Sequence, residues 1–98
     1  MSAVKKVEEL IAKNAVLVFS KTYCGYCGQA KALLEKLNTS YTSVELDVDP
    51  EGKAMSDYLV KKTKRTTVPN IYIKQQNIGG CDDLMRMHRD GKLMELLK

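Results

Sequence analysis

The sequence has no tryptophan, one phenylalanine, one histidine, two prolines and three cysteines in 98 residues. Each scarcity removes a class of protein. Three cysteines are too few, and an odd number, for a secreted scaffold stapled by disulfides. Those three with His88 make up one Cys3His set at most, and the two helical turns between Cys81 and His88 are not the spacing of a zinc knuckle. No apolar run approaches the ~18 residues that a bilayer-spanning helix needs, so no membrane role is expected. The N-terminal MSAVKKVEELIAKN has no apolar region followed by a cleavage site, and Glu8 and Glu9 are unlike an acid-poor transit peptide. Six aromatics are few for a base-stacking surface. A net charge of +4 therefore does not by itself indicate nucleic acid. The densest basic run, KKTKR at 61–65, reads as a solvated helix end, where cations suit the negative pole of the macrodipole, or as an attractor of a small anion.

What is present fits one folded domain over residues 1–98. The hydrophobic share is 44% and the charged share 29%, enough apolar surface for one core and too little charge excess for disorder. The expectation is a soluble protein of a reducing compartment, with the cytoplasm as its location.

Along the chain, Val4, Val7, Leu10 and Ile11 recur at helical spacing, and Asn14 is a stop signal. AVLVFS at 15–20 is a short continuous apolar run, the signature of a strand buried on both faces. Cys27, Ala30, Leu34 and Leu37 mark one face of a helix from about Cys24 to Asn38. YTSVELDV at 41–48 reads as a second strand. Asp49 and Pro50 signal the start of a helix that turns Ala54, Met55, Tyr58 and Leu59 inward. PNIYIK and the residues around Ile78 form a hairpin joined by Gln75 and Gln76. After Gly79 and Gly80, CDDLMRMH starts a helix with acids in its first turn, and KLMELLK closes the chain after Asp90 and Gly91. This order implies an α/β fold with one mixed four-stranded sheet, helices on both faces and an extra N-terminal helix. It is the order of a thioredoxin-type fold.

The chemistry concentrates in SKTYCGYCGQAK at 20–31. Cys24 falls where the first strand ends and the helix begins. A thiolate there meets backbone N–H groups that lack helical partners, together with the positive end of the macrodipole. Lys21 adds a nearby cation, which favours the nucleophilic form of the sulfur. Cys27, one turn further on, is expected to be buried. An exposed attacking thiol above a buried resolving thiol is the asymmetry that disulfide exchange requires.

Three motifs in order, KTYCGYC (21–27), TVPNIYI (67–73) and IGGCDDL (78–84), resemble the glutaredoxins of the dithiol class, and the likeness extends from about Val7 to Leu97. The resemblance implies a glutathione-dependent thiol–disulfide oxidoreductase. Cys24 would attack a protein–glutathione mixed disulfide and Cys27 would resolve it. It implies a cis Val68–Pro69 bond, with the Val68 backbone pairing the cysteinyl amide of glutathione. Lys21 would meet the glycine carboxylate, Tyr26 would wall the cleft, and Thr67 would add a polar contact. Gly80, Cys81, Asp82 and Asp83 would receive the γ-glutamyl group, its amine facing Asp83. Cys81 otherwise reads as a small residue at a helix start, or as a thiol open to oxidation. Partners would be glutathione and glutathionylated or disulfide-containing proteins, with glutathione reductase acting indirectly.

The sequence departs from the family pattern at Gly25, where proline is commonest, at Gly28, where longer side chains are frequent, and at Ser56. The last position often carries a glutamine or arginine that reaches the glycine carboxylate; Lys62 and Arg65 are the candidate substitutes. Gly25 motivates an alternative, because relatives with a small residue there bind a glutathione-ligated [2Fe-2S] cluster between two chains. Cys24 would be the ligand, and the monomer would become a cluster-bridged dimer.

Overall fold

The computed structural model describes residues 2–98. The elements are α1 (Ala3–Lys13), β1 (Val16–Ser20), α2 (Gly25–Lys36), β2 (Thr42–Glu45), α3 (Gly52–Thr63), β3 (Asn70–Ile73), β4 (Gln76–Gly79), α4 (Cys81–Arg89) and α5 (Lys92–Leu97). The four strands form one sheet in the order β2-β1-β3-β4. β1 runs parallel to β2 and antiparallel to β3, and β3 pairs antiparallel with β4. This is the mixed sheet of a thioredoxin fold.

All five residues of β1 are buried, as a strand covered on both faces must be. Its alternation sends Val16 and Val18 into the layer beneath α2, α4 and α5, with Ala30, Leu34, Ile71, Leu84 and Leu93. Leu17 and Phe19 point the opposite way, to Val7, Ile11, Met55, Leu59 and Tyr72 under α1 and α3. Phe19 meets Tyr72 edge to face, with ring centroids 6.2 Å apart. The helix ends follow local chemistry. Ser2 caps α1 by accepting the Lys5 N–H at 3.2 Å, and Asn14 closes it, its side-chain amide donating to the Leu10 carbonyl at 2.8 Å.

Several sequence expectations are corrected. β2 stops at Glu45 because the N–H groups of Val48 and Asp49 fold back onto the Glu45 carbonyl, at 3.3 and 3.1 Å. Asp49 does cap the next turn, accepting the Glu51 N–H at 2.8 Å, but α3 itself starts at Gly52. Ala54 is exposed, and Gly52 holds the buried position instead. A Cβ at Gly52 would stand 1.7 Å from the Leu46 carbonyl oxygen, so α3 begins in direct backbone contact with the segment after β2. Val4 is also exposed, whereas Val7 and Ile11 carry the inner face of α1. The hairpin turn is Lys74–Gln75, with φ of 50° and 69°, and Gln76 already belongs to β4.

Candidate active site

Cys24 is the N-cap of α2, in extended conformation (φ −91°, ψ 116°), and its Sγ accepts the Cys27 N–H at 3.3 Å. Charge that develops on this sulfur therefore faces an N–H donor and the positive end of a helix. The turn beneath it closes through the Cys24 N–H onto the Lys21 carbonyl at 3.1 Å. Asp47 fastens the same loop from β2's side, accepting the Thr22 N–H at 3.0 Å and the Thr22 hydroxyl. Across the site the Cys24 thiol donates to the Val68 carbonyl at 3.6 Å, and the Val68–Pro69 bond is cis.

Cys27 is 1% exposed. Burial pushes its thiol up, and the neighbouring Cys24 sulfur adds to this; the Lys21 N–H and the Ser20 hydroxyl act weakly in the opposite direction. Cys81 is also buried and also raised, first by burial and then by the charges of Asp82 and Cys24. All three thiols are free. The asymmetry expected of the pair is present: Cys24 partly open, Cys27 closed over.

Beside Cys24 lies an open cleft of about 260 Å³. One wall is Tyr26, which is largely exposed, and another is the run Thr67, Val68 and Pro69. Gly80, Cys81 and Asp82 close the far end at the start of α4, and Arg65 reaches in from the loop after α3. Residues from three separated motifs thus meet in one place. Lys21 lies outside this cleft, in a small adjoining hollow with Ser56 that shares Arg65, Thr67 and Val68 with it. Asp83 does not line the cleft. Its Oδ2 accepts the Gly80 N–H at 2.8 Å and faces Arg65 Nη1 at 3.3 Å, and its Oδ1 faces Arg86 Nη1 at 3.4 Å.

The two candidate substitutes for a longer side chain at Ser56 separate cleanly. Lys62 pairs with Glu8 of α1 at 2.8 Å, in a cluster completed by the Tyr58 hydroxyl, and is committed there. Arg65 alone of the two reaches the cleft. Of the two readings of the KKTKR run, a solvated helix end or an attractor of a small anion, the position of Arg65 fits the second. α3 stops at Thr63, Lys64 turns left-handed (φ 65°), and the chain doubles back with Arg65 facing inward. Asp47, which steadies the loop that carries Cys24, had no signal in the sequence beyond its place after β2. Gly25 and Gly28 have nothing within 4 Å of where a Cβ would stand, and no contact in the structure explains glycine at either. His88 is exposed, and among the described residues no three His, Cys, Asp or Glu side chains come together as a metal site.

The comparisons agree with this geometry. The family model described as Glutaredoxin matches residues 16–78. The chain is 50% identical over 98 residues to Glutaredoxin-1 of Rhizophagus irregularis, covering 99% of this chain and 97% of that protein. It is 43% identical over 95 residues to Glutaredoxin-C2 of Arabidopsis thaliana, covering 97% and 86%. The crystal structure of a buckwheat glutaredoxin–glutathione complex superposes with a TM-score of 0.95 at 45% identity, over 97% of this chain and 86% of that one. With the fold, the cysteine pair and the relatives in accord, the chain belongs to the glutaredoxin family of thiol–disulfide oxidoreductases.

Proposed function

We propose that this chain reduces protein–glutathione mixed disulfides and protein disulfides, with Cys24 as nucleophile, Cys27 as resolving thiol and glutathione as the source of electrons. The observation that carries the reading is the position of the Cys24 sulfur. It caps α2, lies beside a peptide-sized cleft and has a buried second thiol one turn below.

In the first step the Cys24 thiolate attacks the glutathione sulfur of a mixed disulfide. A bond forms between Cys24 and that sulfur, the old disulfide breaks, and the protein thiolate leaves and takes a proton from water. In the second step a glutathione thiolate attacks the bound glutathione sulfur. Oxidised glutathione leaves, and Cys24 returns as a thiolate that faces the Cys27 N–H. For a protein disulfide, Cys24 first forms a mixed disulfide with one substrate sulfur and releases the other as a thiolate. Cys27 then attacks the Cys24 sulfur, the first substrate sulfur leaves as a thiolate, and the Cys24–Cys27 disulfide remains. The raised Cys27 thiol makes this route slow at neutral pH and faster in alkali. Val68, half-buried and lining the cleft, supports a strand-like pairing of its backbone with the cysteinyl unit. Tyr26 and Thr67 supply cleft walls, and Lys21 stands at the side where the glycine carboxylate would lie.

Steady-state turnover of a small glutathione mixed disulfide, coupled to glutathione reductase, tests the assignment. Cys24→Ser is expected to be inactive, while Cys27→Ser keeps turnover of the mixed disulfide and loses reduction of protein disulfides. Loss of mixed-disulfide turnover in Cys27→Ser would contradict the one-thiol route.

A second reading has one observation in its favour: the space beside Gly25, next to Cys24 in the chain, is open, with nothing within 4 Å of where a Cβ would stand. Cys24 would be this chain's single ligand to a [2Fe-2S] cluster, which would supply one-electron redox chemistry, with glutathione and a second copy completing the set. Iron and labile sulfide in anaerobically purified protein would support it, and their absence would count against it.

A further inference from the structure

The face of β1 beneath α2 is apolar until its last residue. The alternation that turns Val16 and Val18 toward α2 turns Ser20 the same way, and Ser20 is fully buried. A hydroxyl in such a place needs a partner. Its register neighbour on β2 is Glu45, and Ser20 Oγ donates to Glu45 Oε1 at 2.9 Å. The other carboxylate oxygen is held by Lys31 Nζ at 2.8 Å and by the Ser43 hydroxyl. Lys31 lies one helical turn beyond Cys27, so the helix that carries the resolving thiol also carries the cation that fixes Glu45.

The Ser20 hydroxyl has a second neighbour, the Cys27 sulfur. A hydroxyl carries a single proton and can give it to only one acceptor at a time. While Cys27 is a thiol, that proton goes to the carboxylate, the stronger acceptor. A buried sulfur anion needs donors, and the Lys21 N–H and the Ser20 hydroxyl are the ones beside it. Rotation about the Cβ–Oγ bond redirects the proton while the oxygen stays in place, and Glu45 keeps Lys31 and Ser43 when it gives the hydroxyl up. This accounts for the weak effect of Ser20 on the resting thiol. Around the pair stand Cys24 on α2, whose sulfur opposes ionisation of Cys27, and Cys81 on α4, which faces Cys24. Tyr41, ahead of β2, feels the Glu45 charge while its own hydroxyl is held by Glu35.

We infer that Ser20 is a catalytic donor in the resolving step, turning from Glu45 to the Cys27 sulfur as that sulfur ionises, and that Glu45 is the positioning residue that holds the hydroxyl back until then. Cys27 gives its proton to solvent base. Ser20 keeps its own proton and only redirects it, and the Cys27 thiolate then attacks Cys24 as described above. This rests on the resolving role proposed for Cys27 and names the pair of residues that governs it.

The test titrates Cys27 as the sole thiol, in protein carrying Cys24→Ser and Cys81→Ser, by the ultraviolet absorbance of the thiolate. That measurement needs neither glutathione nor turnover. In this background Ser20→Ala is expected to raise the midpoint by about one pH unit, whereas Glu45→Gln, which frees the hydroxyl, is expected to lower it by about half a pH unit. The variant with both changes is expected to titrate like Ser20→Ala alone, because Glu45 acts through the hydroxyl. With Cys24 restored, release of a peptide thiol from its mixed disulfide with Cys24 should show the same displacements in its pH profile. An unmoved midpoint in Ser20→Ala would overturn the inference. A Glu45→Gln effect that persists without the hydroxyl would also overturn it, because the charge would then act directly. Ser20→Ala retains the Lys31–Glu45 pair, so it decides the matter even where Glu45→Gln does not fold. Failure of the resolving role shows differently, as a peptide that stays on Cys24 at every pH while the titration effects remain, and it would overturn that role together with the step that Ser20 serves.

Discussion

The thiol of Cys24 and the carbonyl oxygen of Val68 face each other at 3.6 Å across 44 residues of sequence. The contact joins the start of α2 to the loop before β3, and the cleft lies along the seam between them. Everything attributed to the site depends on this seam. It places a partly open sulfur beside a ligand-sized space while Cys27 is sealed on the buried face of α2.

That arrangement predicts which thiol reacts. A brief exposure of the reduced protein to iodoacetamide near neutral pH is expected to label Cys24 alone. Cys27 and Cys81 are both buried and both raised by that burial, so their thiolate fractions are small and out of reach. Peptide mass spectrometry reads the outcome. Labelling of Cys81 as fast as Cys24 would contradict it.

Two glycines predict opposite effects of the same substitution. Gly52→Ala drives a methyl into the Leu46 carbonyl, where neighbouring backbone must move, and is expected to cost about 3 kcal/mol or more. Gly28→Ala sits on an exposed turn of α2 in open space and is expected to stabilise by about 0.5–1 kcal/mol. Denaturant midpoints measure both, and a neutral Gly52→Ala would refute the close contact between α3 and the segment after β2.

The Lys74–Gln75 turn predicts a gain from adding a glycine. Both residues are left-handed without being glycine or asparagine, as a type I′ hairpin turn requires. Gln75→Gly relieves one of these and is expected to stabilise by about 1 kcal/mol, less the hydrogen bond from its side chain to the Ala12 carbonyl. A lowered melting temperature would mean that this bond outweighs the turn.

The Glu8–Lys62 pair makes stability depend on pH. Lys62, and then the Tyr58 hydroxyl, hold the Glu8 carboxyl below its usual value. A depressed carboxyl contributes stability above its unfolded value and loses it as the pH falls through the folded one. Both partners are a third or more exposed, so Glu8→Gln is expected to cost no more than about 1 kcal/mol at neutral pH. The gap to the wild type should close as the pH drops below the carboxylate range. A gap that persists in acid would point to packing rather than charge.

Much of this was legible because the relevant signals are local. The continuous apolar run of β1, the capping position of Cys24 and the proline at the head of β3 each depend on a few adjacent residues. Misreadings arose where a residue's role is set by what folds back onto it. Ala54 was expected inside because it fits a helical stripe, but the close backbone contact at Gly52 rotates α3 and leaves it exposed. The sequence could not choose between Lys62 and Arg65 as the cation at the site, because the choice is made by the left-handed turn at Lys64, after which Arg65 lines the cleft. Gly79 and Gly80 read as a chain break, whereas their shape is dictated by the paired Asp83 and Arg65.

The most direct test of the central claim is to trap the intermediate. Cys27→Ser protein treated with oxidised glutathione, then analysed intact and after digestion, should carry one glutathione in disulfide linkage at Cys24 and none at Cys81. Reduced glutathione should release it as oxidised glutathione. A chain that takes up no glutathione, or takes it up at Cys81 with Cys24 left free, would contradict the account.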